Sequence, residues 1–163
     1  MSEVEAQELR RVAGHFPTGV TVVTATHGGR PCGMTVNSFA SVSLEPPLVL
    51  VCLAHAARAY ACVDAAGRFA VNVLAEGQEA VARAFASKVE DKFADVAYRT
   101  SPHGSPILDG AHAWLDCEVV ARHPGGRTHT IYVARVVALA AGRGHPLVFH
   151  AGQYRGLGPA TTR

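Results

Sequence analysis

Apolar positions along the chain recur with a period of two more often than with a helical period. Residues 18–26 (TGVTVVTAT) are rich in β-branched side chains. The turn signal His27-Gly28-Gly29-Arg30 separates them from a second extended segment, residues 31–44. Pro46-Pro47 breaks the chain. Residues 48–53 (LVLVCL) then read as a third strand, apolar on both faces and so buried, and residues 68–74 (RFAVNVL) as a fourth, ended by Gly77. Residues 112–122 alternate: Ala113, Leu115, Cys117, Val119 and Ala121 face one way, and Trp114, Asp116 and Glu118 the other. Pro124-Gly125-Gly126 is a turn, residues 129–140 the next strand and residues 146–150 the last.

Helical periodicity is confined to short stretches. Residues 3–16 carry Leu9, Val12, Ala13 and Phe16 on one stripe, start at a capping box made by Ser2 and Glu5, and stop at Pro17. Residues 54–66 are alanine-rich and read as a short helix. In residues 78–89, Val81, Ala84, Phe85 and Val89 share a face. Residues 90–111 read as a long loop of the kind that often binds ligands, and residues 156–163 as a loose tail. Turns at 27–30, 45–47 and 124–127 imply hairpins and antiparallel pairing. Strands do not alternate with helices, which disfavours a doubly wound parallel sheet. The expected fold is mainly β: an antiparallel barrel with a few helices outside.

Length and composition narrow the function. The 163 residues suit a single domain, and 48% hydrophobic against 17% charged residues is the reverse of a disordered chain. The longest uncharged apolar run, residues 46–57, contains two prolines and a histidine and is too short to span a bilayer. The acidic, polar start lacks the features of a secretory signal, so a cytoplasmic protein is expected. Cys32, Cys52, Cys62 and Cys117 form no C-x-x-C pair and sit in apolar stretches. They read as reduced thiols, although the even count leaves disulfides formally open. The net charge is +2, and Arg10-Arg11 is the sole adjacent basic pair, so nucleic-acid binding is not indicated.

Several chemistries are absent from the motifs. There is no G-x-G-x-x-G, no phosphate-binding P-loop and no G-x-S-x-G elbow. None of the nine histidines forms H-x-x-x-H or H-x-E, so no metal site is expected. Paired carboxylates are limited to Glu90-Asp91, whose side chains point apart.

The informative segment is residues 33–52, GMTVNSFASVSLEPPLVLVC. Thr35, Asn37, Ser41 and Ser43 are small polar groups set among Val, Phe and Leu. They fit the water-facing side of a half-buried strand. They equally fit a groove for a planar heteroaromatic ligand, whose polar edge backbone amides and short hydroxyls can meet.

This segment closely resembles the flavin-binding stretch of the short-chain flavin reductases, the NAD(P)H-dependent reductase components of two-component flavin monooxygenases. The resemblance runs from about residue 16 to 157. Its landmarks are residues 16–24 (FPTGVTVVT), 33–52, 67–74 (GRFAVNVL), Asp91-Lys92-Phe93, residues 129–133 (HTIYV) and residues 146–150 (PLVFH) followed by Tyr154. It implies a split β-barrel, usually a homodimer, that binds FAD or FMN and takes hydride from NADH or NADPH. It implies delivery of reduced flavin to a separate monooxygenase.

The resemblance also implies roles for single residues. Thr35, Val36, Asn37, Ser38 and Ser41 cradle the isoalloxazine and ribityl chain, and Cys52, Leu53 and Ala54 add backbone contacts. Ala57, Arg58 and Ala59 stand where relatives carry small hydroxyl residues around a basic one to hold the flavin phosphate. The hydroxyls are missing here, leaving Arg58 and backbone N–H groups. Phe85 and Lys92 approach the flavin tail. His129 matches the histidine of a Gly-Asp-His motif near the nicotinamide, with Gly126-Arg127-Thr128 before it in place of the acidic partner, and Tyr154 is a lid on the pyridine nucleotide. Two rivals stay open: a flavin-binding carrier or sensor without reductase activity, and a relative of the pyridoxamine phosphate oxidases, which would need a strongly basic phosphate pocket.

Overall fold

The computed structural model describes residues 4–161. The chain runs α1 (Ala6–Ala13), β1 (Thr18–Gly19), β2 (Thr21–His27), β3 (Arg30–Val36), β4 (Phe39–Leu44), β5 (Pro47–Ala54), α2 (Tyr60–Ala66) and β6 (Arg68–Val73). It continues with α3 (Glu79–Ala86), β7 (Tyr98–Thr100), β8 (Pro106–Leu108), β9 (Ala113–Gly125), β10 (His129–Ala141), β11 (Val148–His150) and β12 (Gln153–Arg155). The fold is mainly β. Seven strands form one antiparallel sheet in the order β3-β2-β6-β9-β10-β5-β4; β1, β11 and β12 form a second, and β7 and β8 a hairpin. No helix among the described residues is long and apolar enough to cross a membrane.

The three expected hairpins are present. Gly28 and Gly29, at φ +58° and +76°, make the two-residue turn whose twist suits the β2–β3 pair. The β4–β5 turn contains a cis Glu45–Pro46 bond, and β9 pairs with β10 along most of both strands. The expected extended segment 31–44 is in fact two strands, broken at Asn37-Ser38. β3 and β4 lie at opposite edges of the seven-stranded sheet. Three Cα steps can span at most roughly 11 Å, so the sheet must curl until its edges approach at this seam.

β2 is buried on both faces. Val23 and Ala25 pack with Val51, Leu53, Phe69, Val71 and Tyr132 on one side, and Val20 and Val22 with Leu74, Ala82, Phe85 and Leu108 on the other. Asn72 locks this centre. Its Nδ2 donates to Val22 O and Thr24 Oγ1, and its Oδ1 accepts from the Leu108 N–H at 2.8 Å.

Other boundaries moved for identifiable reasons. α1 begins at Ala6, and Glu5 makes no side-chain cap; Ser2 of the expected capping box lies outside the described residues. The apolar stripe of α1 and of the turn after it is uncovered among the described residues: Leu9, Val12 and Phe16 are 61%, 53% and 76% exposed. β5 is buried on one face only, through Val49, Val51 and Leu53, while Leu48, Leu50 and Cys52 are half-buried. α2 starts only at Tyr60, because residues 55–59 form a turn at the end of β5. In α3, Ala82 and Phe85 are the buried positions, and Val89 lies beyond the helix and is exposed. The expected loop 90–111 contains the β7–β8 hairpin, with Ile107 and Leu108 plugged into the core. β9 extends through Pro124, moving the turn to 126–128, and a further strand, β12, follows β11. Asp116, on the face of β9 opposite Cys117, is fully buried and accepts a hydrogen bond from Ser101 Oγ.

The reading of all four cysteines as reduced thiols is corrected. Cys32 on β3 and Cys62 on α2 form a disulfide, because helix and strand pack face to face with their Cα atoms 6.4 Å apart. Cys52 and Cys117 are free. Burial, then the Asp116 carboxylate beside it, pushes the Cys117 thiol up to about 12.

Candidate active site

The end of β3 and the seam after it form the floor of a cleft of about 480 Å³. Met34, Thr35, Val36, Asn37 and Ser38 make the floor. Cys52 and Ala54 of β5, the turn residues Ala57 and Arg58, the end of α3 from Phe85 to Ser87, and then Lys88, Lys92 and His129 make the walls.

Local sequence explains the floor. Gly33 lets β3 pass under α3: a Cβ there would lie 2.8 Å from the Phe85 ring and 3.1 Å from Val23 O. Thr35 Oγ1 donates to Ala82 O at 2.7 Å, tying the strand to the helix. The Ser38 hydroxyl donates to Cys52 O at 2.7 Å and accepts from Cys52 N–H at 3.1 Å, so a side chain completes the ladder where the strands part. Among the described residues, the Asn37 and Ser38 backbone N–H groups donate to no protein atom. The floor therefore offers free donors and little side-chain bulk, which suits the polar edge of a flat ring.

The cleft's charge is positive at one end. Lys92 Nζ donates to Phe85 O at 2.8 Å and approaches Gly33 O at 3.4 Å. Burial and then the nearby Arg58 guanidinium lower its pKa. Among the described residues Arg58, Lys88 and Lys92 have no ion-pair partner, and no carboxylate lines the main cleft. Two neighbouring cations at the edge of a cleft that no carboxylate lines favour an anion. Both also border a smaller cavity of about 130 Å³ beside Cys32, whose lining includes Glu90 and Asp91.

His129 also lines the cleft. β10 begins there, paired with Ala54 of β5. Its Nδ1 lies 2.8 Å from Thr128 Oγ1, and Nε2 has no partner among the described residues. An imidazole so held can present one hydrogen-bonding nitrogen to a ligand. No cluster of three or more His, Cys, Asp or Glu able to hold a metal occurs among the described residues.

Eleven of the fifteen residues expected from sequence line this one cleft: Thr35, Val36, Asn37, Ser38, Cys52, Ala54, Ala57, Arg58, Phe85, Lys92 and His129. Four do not. Ser41 is exposed on β4, away from the lining. The Leu53 side chain is fully buried in the core beneath, with its backbone opposite Thr130. Ala59 is buried and borders the smaller cavity. Tyr154, on β12, lines an adjoining pocket of about 150 Å³ that shares Thr35, Val36 and Asn37 with the cleft. Its ring packs 5.3 Å from Phe149, with the Arg83 guanidinium 5.0 Å away. Lys88 is a lining cation that sequence reading missed; its signal was a basic residue four positions before Lys92.

Comparison with known proteins converges on one family. The model of the flavin reductase like domain matches residues 13–158. The reductase subunit HsaB of a flavin-dependent monooxygenase from Mycobacterium tuberculosis is 41% identical over 163 residues, covering 99% of this chain and 87% of that protein. The reductase component of a 4-nitrophenol 4-monooxygenase/4-nitrocatechol 2-monooxygenase from Rhodococcus opacus is 44% identical over 154 residues, covering 94% and 82%. The Streptomyces globisporus NADH:FAD oxidoreductase SgcE6, solved with NAD and FAD fragments, superposes with a TM-score of 0.91 at 40% identity and covers 99% of this chain and all of that one. A match that spans residues 13–158 means that the chain belongs to the flavin reductase like domain family.

Proposed function

We propose that this protein is an NAD(P)H-dependent flavin reductase that supplies reduced flavin to a separate monooxygenase. The observation that carries the reading is the cleft itself: a donor-rich floor at Asn37-Ser38, lined also by His129 and by Arg58 and Lys92, which have no ion-pair partner among the described residues. The bound flavin and nicotinamide supply the redox chemistry, hydride passing from one ring to the other. The chain's part is to hold them. The floor N–H groups would hydrogen-bond the ring edge and stabilise the negative charge of a reduced flavin. Arg58 and Lys92 grip the phosphate. His129 Nε2 orients the nicotinamide amide, and Tyr154 closes over the outer face. Positioning of this kind supplies most of the acceleration in a hydride transfer, and no general acid is needed.

The same proposal covers the architecture. The chain is one flavin reductase domain, its curled sheet and the β1-β11-β12 sheet making a split β-barrel. The exposed stripe of α1 and the 91% exposed Leu44 support a homodimer. NADH is a cytoplasmic reductant, which supports work in that compartment. FAD and FMN are both candidate acceptors, as are NADH and NADPH as donors.

The test follows loss of NADH absorbance by the purified full chain with and without added FAD or FMN. Oxidation that requires flavin is expected; its absence with both flavins and both donors overturns the reading.

A further inference from the structure

Arg58 and His129 both line the cleft, and one residue outside it links the elements that carry them. The residues around Arg58 form a short turn held by its own backbone: Ala57 N–H donates to Ala54 O and Tyr60 N–H to Ala57 O. That turn is anchored on both sides to the start of β10. On one side, His55 N–H donates to Thr128 O at 2.9 Å, and His55 Nε2 lies 3.0 Å from Thr130 Oγ1. On the other, the Tyr60 hydroxyl lies 2.9 Å from the same Thr130 Oγ1. The His55 and Tyr60 rings also pack at 4.8 Å. One turn further along α2, Asp64 accepts from the Tyr132 hydroxyl at 2.8 Å and from Arg122 Nε at 2.9 Å.

Thr130 is thus a node. A hydroxyl has one proton to donate and can accept in return, and here both capacities are engaged by the residues that bracket Arg58. Thr130 also follows His129 directly, and alternation along β10 keeps its side chain out of the main cleft, whose lining does not include it. Thr130 therefore contacts the residues on either side of Arg58 and is covalently joined to His129.

We propose that Thr130 is a positioning residue that fixes the phosphate-holding Arg58 relative to His129, an inference that rests on the reading of the cleft as a flavin reductase site. Its side chain touches neither ligand; it acts through Arg58.

The test is a double-mutant cycle in the full chain, read by flavin dissociation constant and by steady-state kinetics. Thr130→Val keeps the shape and removes the hydroxyl. It is expected to weaken flavin binding about threefold to tenfold, the scale of one lost hydrogen bond. Thr130→Ser is expected to restore wild-type affinity within about twofold, since it keeps the hydroxyl. Arg58→Ala alone weakens flavin binding, and adding Thr130→Val to it changes little further, because the second residue works through the first. Wild-type affinity in Thr130→Val overturns the proposal, as do full additivity of the two changes or failure of Thr130→Ser to rescue. Unchanged flavin affinity in Arg58→Ala overturns the assignment of the cleft itself, which is a different failure.

Discussion

The Ser38 hydroxyl directs both of its hydrogen-bonding capacities at one residue, Cys52, donating to its carbonyl at 2.7 Å and accepting from its backbone N–H at 3.1 Å. Ser38 therefore acts as a stand-in for a missing strand partner more than as a ligand contact. Ser38→Ala leaves two part-buried backbone groups of Cys52 without this partner. Destabilisation of about 1–3 kcal/mol is expected, read as a lower urea midpoint. Flavin affinity should fall with it, because the seam is the cleft floor. A variant as stable as wild type contradicts this role.

Lys92 gives the cleft a pH dependence. Burial and Arg58 lower its pKa below the usual lysine value. In the empty protein the folded state then binds fewer protons than the unfolded one between those two values, so the Lys92 contribution to stability rises with pH across that window. A phosphate bound beside it favours the charged form and reverses the sign for ligand. Flavin binding is expected to take up a proton near the lowered pKa and to weaken as pH climbs through it. Titrations of the dissociation constant against pH check this, and Lys92→Met should flatten the slope.

Cys32–Cys62 closes a loop with a sequence separation of 30. Chain entropy assigns such a cross-link roughly 3.5 kcal/mol. Reduction with a dithiol, or replacement of both cysteines by serine, should lower the melting temperature. Thiol counting on the unfolded chain should find two free thiols before reduction, Cys52 and Cys117, and all four afterwards. Four thiols in the untreated protein would show the bond to be absent.

Gly33 is fixed by contact with Phe85 rather than by its backbone angles. A methyl group there meets the Phe85 ring at 2.8 Å and Val23 O at 3.1 Å. Gly33→Ala is expected to cost about 1–3 kcal/mol by overpacking and to displace the end of α3 that walls the cleft. Thermal unfolding together with flavin titration checks both effects, and a variant unchanged in each refutes the contact argument.

Sequence patterning carried the strands well where one face is buried and turns are marked by Gly or Pro, as around Gly28-Gly29 and in β6. It failed where long-range packing decides. The crossing of residues 37–38 from one edge of the sheet to the other leaves only a faint local mark: Val36 and Phe39, three positions apart, are out of phase for one continuous strand. Asp116 reads as a surface carboxylate until Ser101, fifteen residues earlier in sequence, is found against it. The Cys32–Cys62 pair is invisible to spacing, since it depends on how α2 lies on β3. For the cleft, eleven of the residues named from the resemblance line one cavity. Ser41 and the Leu53 side chain lie away from that lining, since neighbours in a strand point to opposite faces. The resemblance missed Lys88, which reaches the lining only because the chain turns after α3.

The two-residue crossing between β3 and β4 has one more consequence. A tether that short caps how far the rims it joins can part, so the base of the cavity is held to a narrow range of widths. The 55–59 and 87–92 stretches at its mouth are under no such constraint.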